Sequence, residues 1–292
     1  MKKIMLYFGA AVLLVLSSCS KEDASAPKTH PMTIGVSLGE ATKSALSVDG
    51  TGLKRAWKEG DAIAVLCAET KTIEKFTLVE GAGTTQAKFA NASSALPLTG
   101  SYEVTICYPY GEVDSEGTSI KWDFSTQAGT LESAGDLDLL GNGTTLNDGI
   151  LPNVELKFSE CYFVHFPKGL QLLTGADGTV TLEKLTINGA YPNFTNYFSY
   201  EYWEVSGEPV FGPSCGGNGG ISVKDVTLTD GCLDSDIYLS IYINDSSVSG
   251  YKVSFNVKDD SKEYTYPIGD VKGLDHKLYH FKQSNFSPVL AR

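Results

Sequence analysis

DIYLSIYIN, residues 236–244, is the stretch that decides the fold. Ile237, Leu239, Ile241 and Ile243 occupy alternate positions, and Tyr238, Ser240, Tyr242 and Asn244 fill those between. A period of two with one apolar face marks a strand laid over a core in an antiparallel sheet. YKVSFNVK, residues 251–258, repeats the pattern, with Tyr251, Val253, Phe255 and Val257 set against Lys252, Ser254, Asn256 and Lys258. Outward from this pair, further strand-like runs lie at 32–38, 61–68, 72–79, 102–108, 119–124, 154–166, 180–188, 197–205, 221–228 and 277–283. Clusters of Gly, Asp, Asn and Ser separate them, as strand connections require. No window sustains a helical stripe, and Leu131–Leu140 makes at most a short helix or turn. Many short strands with turn clusters between them predict an all-β chain, sandwich or barrel.

The segment GNGTTLNDGILPN (141–153) is rich in Gly, Asn and Thr and carries a proline near its end. It reads as a seam between an N-terminal β-sandwich domain, 32–150, and a C-terminal one, 151–292. The chain restarts after it with a predicted hairpin, VELKFSECYFVHF (154–166), followed by VTLEKLTING. The two parts are similar in size and share no sequence repeat.

The amino end has a different character. Lys2 and Lys3 precede an apolar run from Ile4 to Leu16, and Leu16-Ser17-Ser18-Cys19 follows. Charge, apolar core and small residues in that order are the layout of a secretory signal. The run is shorter than the ~20 residues a spanning helix needs. A cysteine directly after Leu-Ser-Ser looks like a bacterial lipobox, which implies cleavage before Cys19 and acyl chains on its thiol and new amino group. Residues 1–18 are therefore expected to be a lipoprotein signal peptide and 19–31 a lipidated tether, polar and with two prolines. Glu22-Asp23 resembles the export tag of surface-displayed lipoproteins in Bacteroidales. The expected location is the outer membrane, lipid-anchored, at the cell surface or in a fimbrium.

The formal charge of −12 becomes more negative when Lys2 and Lys3 leave with the signal. Such a chain repels the phosphates of nucleic acid and keeps a well-hydrated surface. Apolar content of 42% is that of an ordinary folded protein.

Catalytic chemistry has little to stand on. His30 lies in the tether, and His165 sits in the apolar run Phe163-Val164-His165-Phe166. His276 and His280 share a strand face but have no third ligand nearby. Asp136-Leu137-Asp138 with Asn142 lacks the ligand spacing of a calcium loop. No nucleophile elbow, phosphate loop or zinc-protease motif occurs. A non-enzymatic protein with no cofactor and no metal is expected. Besides Cys19 there are Cys67, Cys107, Cys161, Cys215 and Cys232. Cys67 and Cys107 end apolar runs and read as small buried hydrophobes. Cys215 and Cys232 flank a hairpin-sized segment and are candidates for a disulfide. In the aromatic run YPNFTNYFSYEYWEV (191–205), Tyr197, Tyr200, Tyr202 and Trp203 are candidates for stacking on sugar rings; the alternative is core on one face and a cross-strand aromatic ladder on the other.

Taken in order, several motifs resemble the fimbrillin family of Bacteroidales lipoproteins, in its Mfa-like branch. They are the strand Met32-Thr33-Ile34-Gly35-Val36-Ser37-Leu38 with Ala41–Leu46 after it, Trp57-Lys58-Glu59-Gly60-Asp61-Ala62-Ile63-Ala64-Val65, Tyr108-Pro109-Tyr110, QAGTLESAGDLD (127–138), and the strand pair Leu156–Phe166. The resemblance implies two tandem transthyretin-like antiparallel β-sandwiches and a structural or adhesive role in fimbriae. It also implies proteolysis after a basic residue just past the first strand, and refilling of the vacated groove by a strand from a neighbouring fimbrillin-like subunit. Lys43 matches that basic position, where arginine is usual, and Arg55 is the second candidate. The C-terminal strand Leu278–Gln283 and the tail Ser284–Arg292 match the donor, with Pro288 unable to give a ladder hydrogen bond. A host or bacterial surface glycan or protein is the implied adhesion target. The alternative reading is a glycan-binding outer-membrane lipoprotein of a polysaccharide uptake system.

Overall fold

The computed structural model describes residues 29–38, 47–49, 52–158, 161–189, 196–217, 220–242, 251–257, 263–268, 278–280 and 289–290. In chain order the first part runs β1 (His30–Leu38), β2 (Ser47–Asp49), β3 (Gly52–Lys54), β4 (Ala62–Cys67), β5 (Thr72–Glu80), β6 (Gln86–Ser94), β7 (Ser101–Tyr108), β8 (Glu112–Val113), β9 (Ser119–Asp123), α1 (Leu131–Gly135), β10 (Leu140–Asn147) and β11 (Val154–Phe158). Then follow β12 (Cys161–Phe166), β13 (Leu173–Thr174), β14 (Thr179–Gly189), β15 (Tyr197–Val205), β16 (Glu208–Gly216), β17 (Ile221–Thr229), β18 (Cys232–Leu233), β19 (Ile237–Tyr242), β20 (Tyr251–Val257), β21 (Glu263–Ile268), β22 (Leu278–His280) and β23 (Val289–Leu290). The chain is nearly all β, and the helix expected within Leu131–Leu140 is one short turn capped by Thr130.

Seven strands close into a barrel in the order β1-β11-β10-β7-β4-β5-β6. Its interior holds Ile34, Val36, Ile63, Val65, Phe76, Phe89, Ile106 and Leu156, and Trp57 fills it from one side. The Trp57 ring meets Phe89 edge-on at 4.9 Å and Tyr108 at 5.2 Å. The motif around Trp57 explains its placement. Gly60 adopts φ +90°, where a side chain would be strained, and lets the chain turn back. The Asp61 carboxylate accepts the Lys58 N–H at 2.7 Å and the Tyr108 hydroxyl at 3.2 Å, tying the turn to β7.

β4 is buried along its whole length. Ile63, Val65 and Cys67 face the barrel interior, and Ala64 and Leu66 face a second core. That second core joins the outer wall of the barrel to Trp122 and Phe124, to Phe198 of β15, and to Phe166, Leu182, Leu228, Leu239 and Ile241. Around it stand a five-stranded sheet (β18-β17-β14-β20-β21), a four-stranded sheet (β16-β15-β9-β8) and a three-stranded sheet (β19-β12-β22). Strand pairing crosses the expected seam in both directions. β8 and β9 belong to the sheet of β15, and β11 belongs to the barrel.

The structure departs from the sequence reading at several places. Residues 141–153 are a strand and a turn rather than a linker: β10 pairs with β7 through eight consecutive positions, from Leu140↔Tyr108 to Asn147↔Ser101. Its Gly-Asn-Thr composition hides it, because β10 is mostly half-exposed and needs apolar residues only at Leu140 and Leu146. The predicted hairpin 154–166 is not one. β11 enters the barrel, while β12 pairs with β19 and β22. The expected purely antiparallel sandwich carries parallel pairs, β1–β11, β12–β22 and β13–β23, and its first sheet is closed. Finally, the second face of β19 is wet only at Tyr238. Ser240 and Tyr242 are buried like Leu239 and Ile241: Tyr242 packs on Phe124 and Phe198, and the Gln127 side chain lies along the strand at Ser240. Its amide donates to the Ser240 carbonyl at 2.6 Å and accepts the Ser240 N–H at 2.9 Å, replacing a neighbouring strand. The Ser240 hydroxyl donates to the Leu137 carbonyl, so the buried polar groups are satisfied.

β16, with Pro209 and Pro213, is missing from the sequence reading altogether. It is the edge of its sheet, where a strand tolerates prolines because one side makes no ladder bonds.

Candidate functional site

β1 is the element the resemblance singles out, and its setting is specific. Met32, Ile34, Val36 and Leu38 alternate into the barrel core, each at most 5% exposed. On one side β1 pairs antiparallel with β6 from His30↔Ser94 to Ser37↔Gln86. On the other it pairs parallel with β11 only at Val36–Leu38. A groove of ≈ 210 Å³ lies over the β1–β6 pair, lined by Gly35, Val36 and Ser37 of β1, Gln86 and Ala87 of β6, and Asn153. Taking β1 out would expose four core side chains' worth of apolar lining, about 1.5–3 kcal/mol each, and a row of unpaired backbone groups on β6. Such a slot accepts an extended strand with apolar residues at alternate positions.

Of the two processing candidates, Lys43 lies outside the described residues, as does the lipidation candidate Cys19. Arg55 is described, and it is 2% exposed. Its Nη2 is 2.6 Å from Oδ1 of the fully buried Asp138, and its guanidinium lies 5.2 Å from the Phe163 ring centre. Burial pushes the Asp138 carboxyl up to about 7, against the pull of the Arg55 charge, and lowers the Arg55 pKa from its usual value. Next along the chain Lys58 reaches Asp136 at 2.5 Å and Glu132 at 3.8 Å. Residues 55–58, on the way into the barrel, are thus clamped to α1 and the turn after it. A protease would meet Arg55 only after this clamp opened.

The aromatic candidates divide between the two faces of β15. Tyr200 and Tyr202 point the same way as Phe198, toward the second core. Tyr200 meets Trp122 and Phe198 edge-on, and Tyr202 meets Phe211. Burial raises the Tyr200 hydroxyl well above the usual tyrosine range. Tyr197 and Trp203 are on the outer face. Tyr197 stands over Gly216 and Trp203 over Gly212, each ring occupying space a Cβ would need. Lys121 Nζ sits 4.3 Å from the Tyr197 ring centre. The four residues therefore form no common stacking surface: two are wall and two are outside. Alternation alone made this split readable from the sequence.

Cys215 lies on β16 and Cys232 on β18, in different sheets, and Cys232 is a free thiol, so the bridge considered for them is not formed here. Cys67 and Cys107 are buried, as expected. His165 stacks on Tyr238 at 4.4 Å with Nε2 2.9 Å from Asp236, a strand histidine with a carboxylate partner. His276 lies outside the described residues. Among the described residues no group of three or more His, Cys, Asp or Glu is placed to hold a metal ion, and no helix is long and apolar enough to cross a membrane.

No family model matches the chain, and no curated protein matches it. Among solved structures it is similar to a candidate cell adhesion protein from Bacteroides ovatus, at 14% identity and TM-score 0.44, over 84% of this chain and 89% of that one. It is similar to a candidate cell adhesion protein from Bacteroides fragilis, at 12% identity and TM-score 0.41, over 85% and 91%. A third likeness is to a fimbrial assembly protein from Parabacteroides distasonis, at 11% identity and TM-score 0.32, over 86% and 90%.

Proposed function

We propose that this chain is a non-enzymatic surface lipoprotein, anchored through Cys19, that serves as a structural or adhesive subunit of a fimbria and joins its neighbours by β-strand addition. The observation that carries the reading is β1. It is an N-terminal strand with a full set of buried alternate residues, set between β6 and the short parallel contact with β11. The sequence at the amino end supplies the export and anchoring part. Division into a body through residue 150 and a body from 151 belongs to the same proposal, with β8–β9 and β11 exchanged across it.

Protein cut after Lys43, with the cut verified by mass, is expected to release β1 slowly, the Cys19 anchor leaving with it, and to take up a synthetic peptide HPMTIGVSL or a neighbour's strand. Size-exclusion chromatography and peptide fluorescence anisotropy read both. Verified cut protein that neither polymerises nor binds the peptide sinks the strand-addition reading. The glycan-binding alternative now rests on Trp203 and Tyr197 alone, and a glycan array with no signal for the intact protein ends it.

A further inference from the structure

Five large apolar side chains are exposed among the described residues: Val79 (52%), Leu98 (52%), Ile150 (70%), Trp203 (42%) and Val205 (54%). Strand directions place four of them toward one end of the barrel. β1 begins at His30 beside Ser94, the last residue of β6, so the loop carrying Leu98 lies at the end where β1 starts. β10 ends at Asn147 beside Ser101, so the turn carrying Ile150 lies at that end too. The two loops brace each other: the Asp148 N–H donates to the Gly100 carbonyl at 2.8 Å, and the Gly100 N–H donates to the Asp148 carboxylate at 2.9 Å. A Cβ on Gly149 would stand 3.0 Å from Leu98 Cδ2, so Leu98 packs against the turn that presents Ile150. β4 runs toward the same end, and Lys71 in the turn after it pairs with Glu204 at 3.9 Å and covers the Tyr202 ring at 4.2 Å. That contact brings the β15–β16 hairpin tip, with Trp203 and Val205, to the same side.

The chain reaches β1 from Cys19 through ten residues, Ser20 to Thr29. Such a segment spans about 17 Å on average and at most about 35 Å. At that average span, an anchor at Cys19 places this end of the barrel nearest the bilayer. We propose that Leu98, Ile150, Trp203 and Val205 form a seating surface that rests in the interfacial layer of the membrane to which Cys19 is anchored, fixing the direction in which the rest of the molecule projects. Tryptophan and aliphatic tips favour that layer, where one side of the residue is apolar and the other wet. Glu69, Glu103, Glu204 and Glu208 flank the tips, so the surface suits zwitterionic rather than anionic headgroups. This inference concerns the chain not cut after Lys43 and rests on the Cys19 anchor proposed above.

Tryptophan fluorescence tests it, because Trp57 and Trp122 are buried and only Trp203 is exposed. Full-length acylated protein is reconstituted in vesicles of phosphatidylcholine and phosphatidylethanolamine, with and without brominated acyl chains. The expected result is loss of the Trp203 emission in brominated vesicles, absent in Trp203→Phe and reduced in Leu98→Asp/Ile150→Asp, while all variants still float with the vesicles. Protein that floats while Trp203 stays unquenched overturns the seating and leaves the anchor intact. Protein that does not float overturns the anchor, and the seating with it. Protein lacking the first 19 residues is expected to sediment as a monomer; a dimer that shields Trp203 from acrylamide assigns the surface to a second copy and overturns the proposal.

Discussion

Asp138 and Arg55 show how much a single buried pair controls. Two ions taken out of water attract strongly, yet their desolvation offsets much of that gain. Removing one partner leaves the other charge buried, so Asp138→Ala is expected to lower stability by about 3–5 kcal/mol at pH 8. Arg55→Met combined with Asp138→Leu is expected to cost far less, since no charge is stranded; urea denaturation of both variants decides. The pair also makes stability depend on pH. The folded Asp138 carboxyl titrates near 7, whereas unfolded aspartate titrates near ~3.9. Between those values the folded state binds the proton more tightly, so this contribution is complete below about pH 4 and fades as pH rises through about 7. Asp138→Asn is expected to flatten that part of the Tm-versus-pH curve, and an unchanged slope would count against it.

The element that best separates structure from surface is β15. Phe198 and Tyr200 share a face with the second core, and Trp203 shares the other with solvent. Phe198→Ala is expected to cost about 3–5 kcal/mol, the usual range for a buried aromatic. Trp203→Ala, in the same strand, is expected to cost roughly 0.5 kcal/mol or less, as surface substitutions do. Equal losses in thermal unfolding would mean that the outer face is covered after all. β1 makes the complementary case: its alternation was plain in the sequence, but its parallel contact with β11 was not, since residues 36–38 meet 154–156 only when the barrel closes.

At the scale of the whole molecule, the barrel and the sheets around the second core share one apolar interface through Ala64, Leu66 and Cys107. The clamp of residues 55–58 on α1 lies beside it. The sequence contains just two arginines, Arg55 and the terminal Arg292. An arginine-specific protease is therefore expected to leave the folded chain uncut at Arg55 and to cut there only in denaturant, as mass spectrometry of the fragments reads. Rapid cleavage of native protein at Arg55 would show that the clamp opens readily, and would restore that residue as a processing site.

Local pattern by itself determined that the chain is strand upon strand, that β1 and β19 each carry an alternating apolar set, and that the amino end reads as an export signal with Cys19 behind it. Those properties follow from neighbours in sequence, because side-chain period and turn chemistry act over a few residues. Tertiary structure alone decided that 141–147 belongs to a barrel strand, that 154–158 and 161–166 part company, that Gln127 stands in for a strand beside Ser240, and that Arg55 is buried against Asp138. Each of these joins residues far apart in the chain, and a backbone hydrogen bond or a buried charge leaves no mark on the local sequence of its partner.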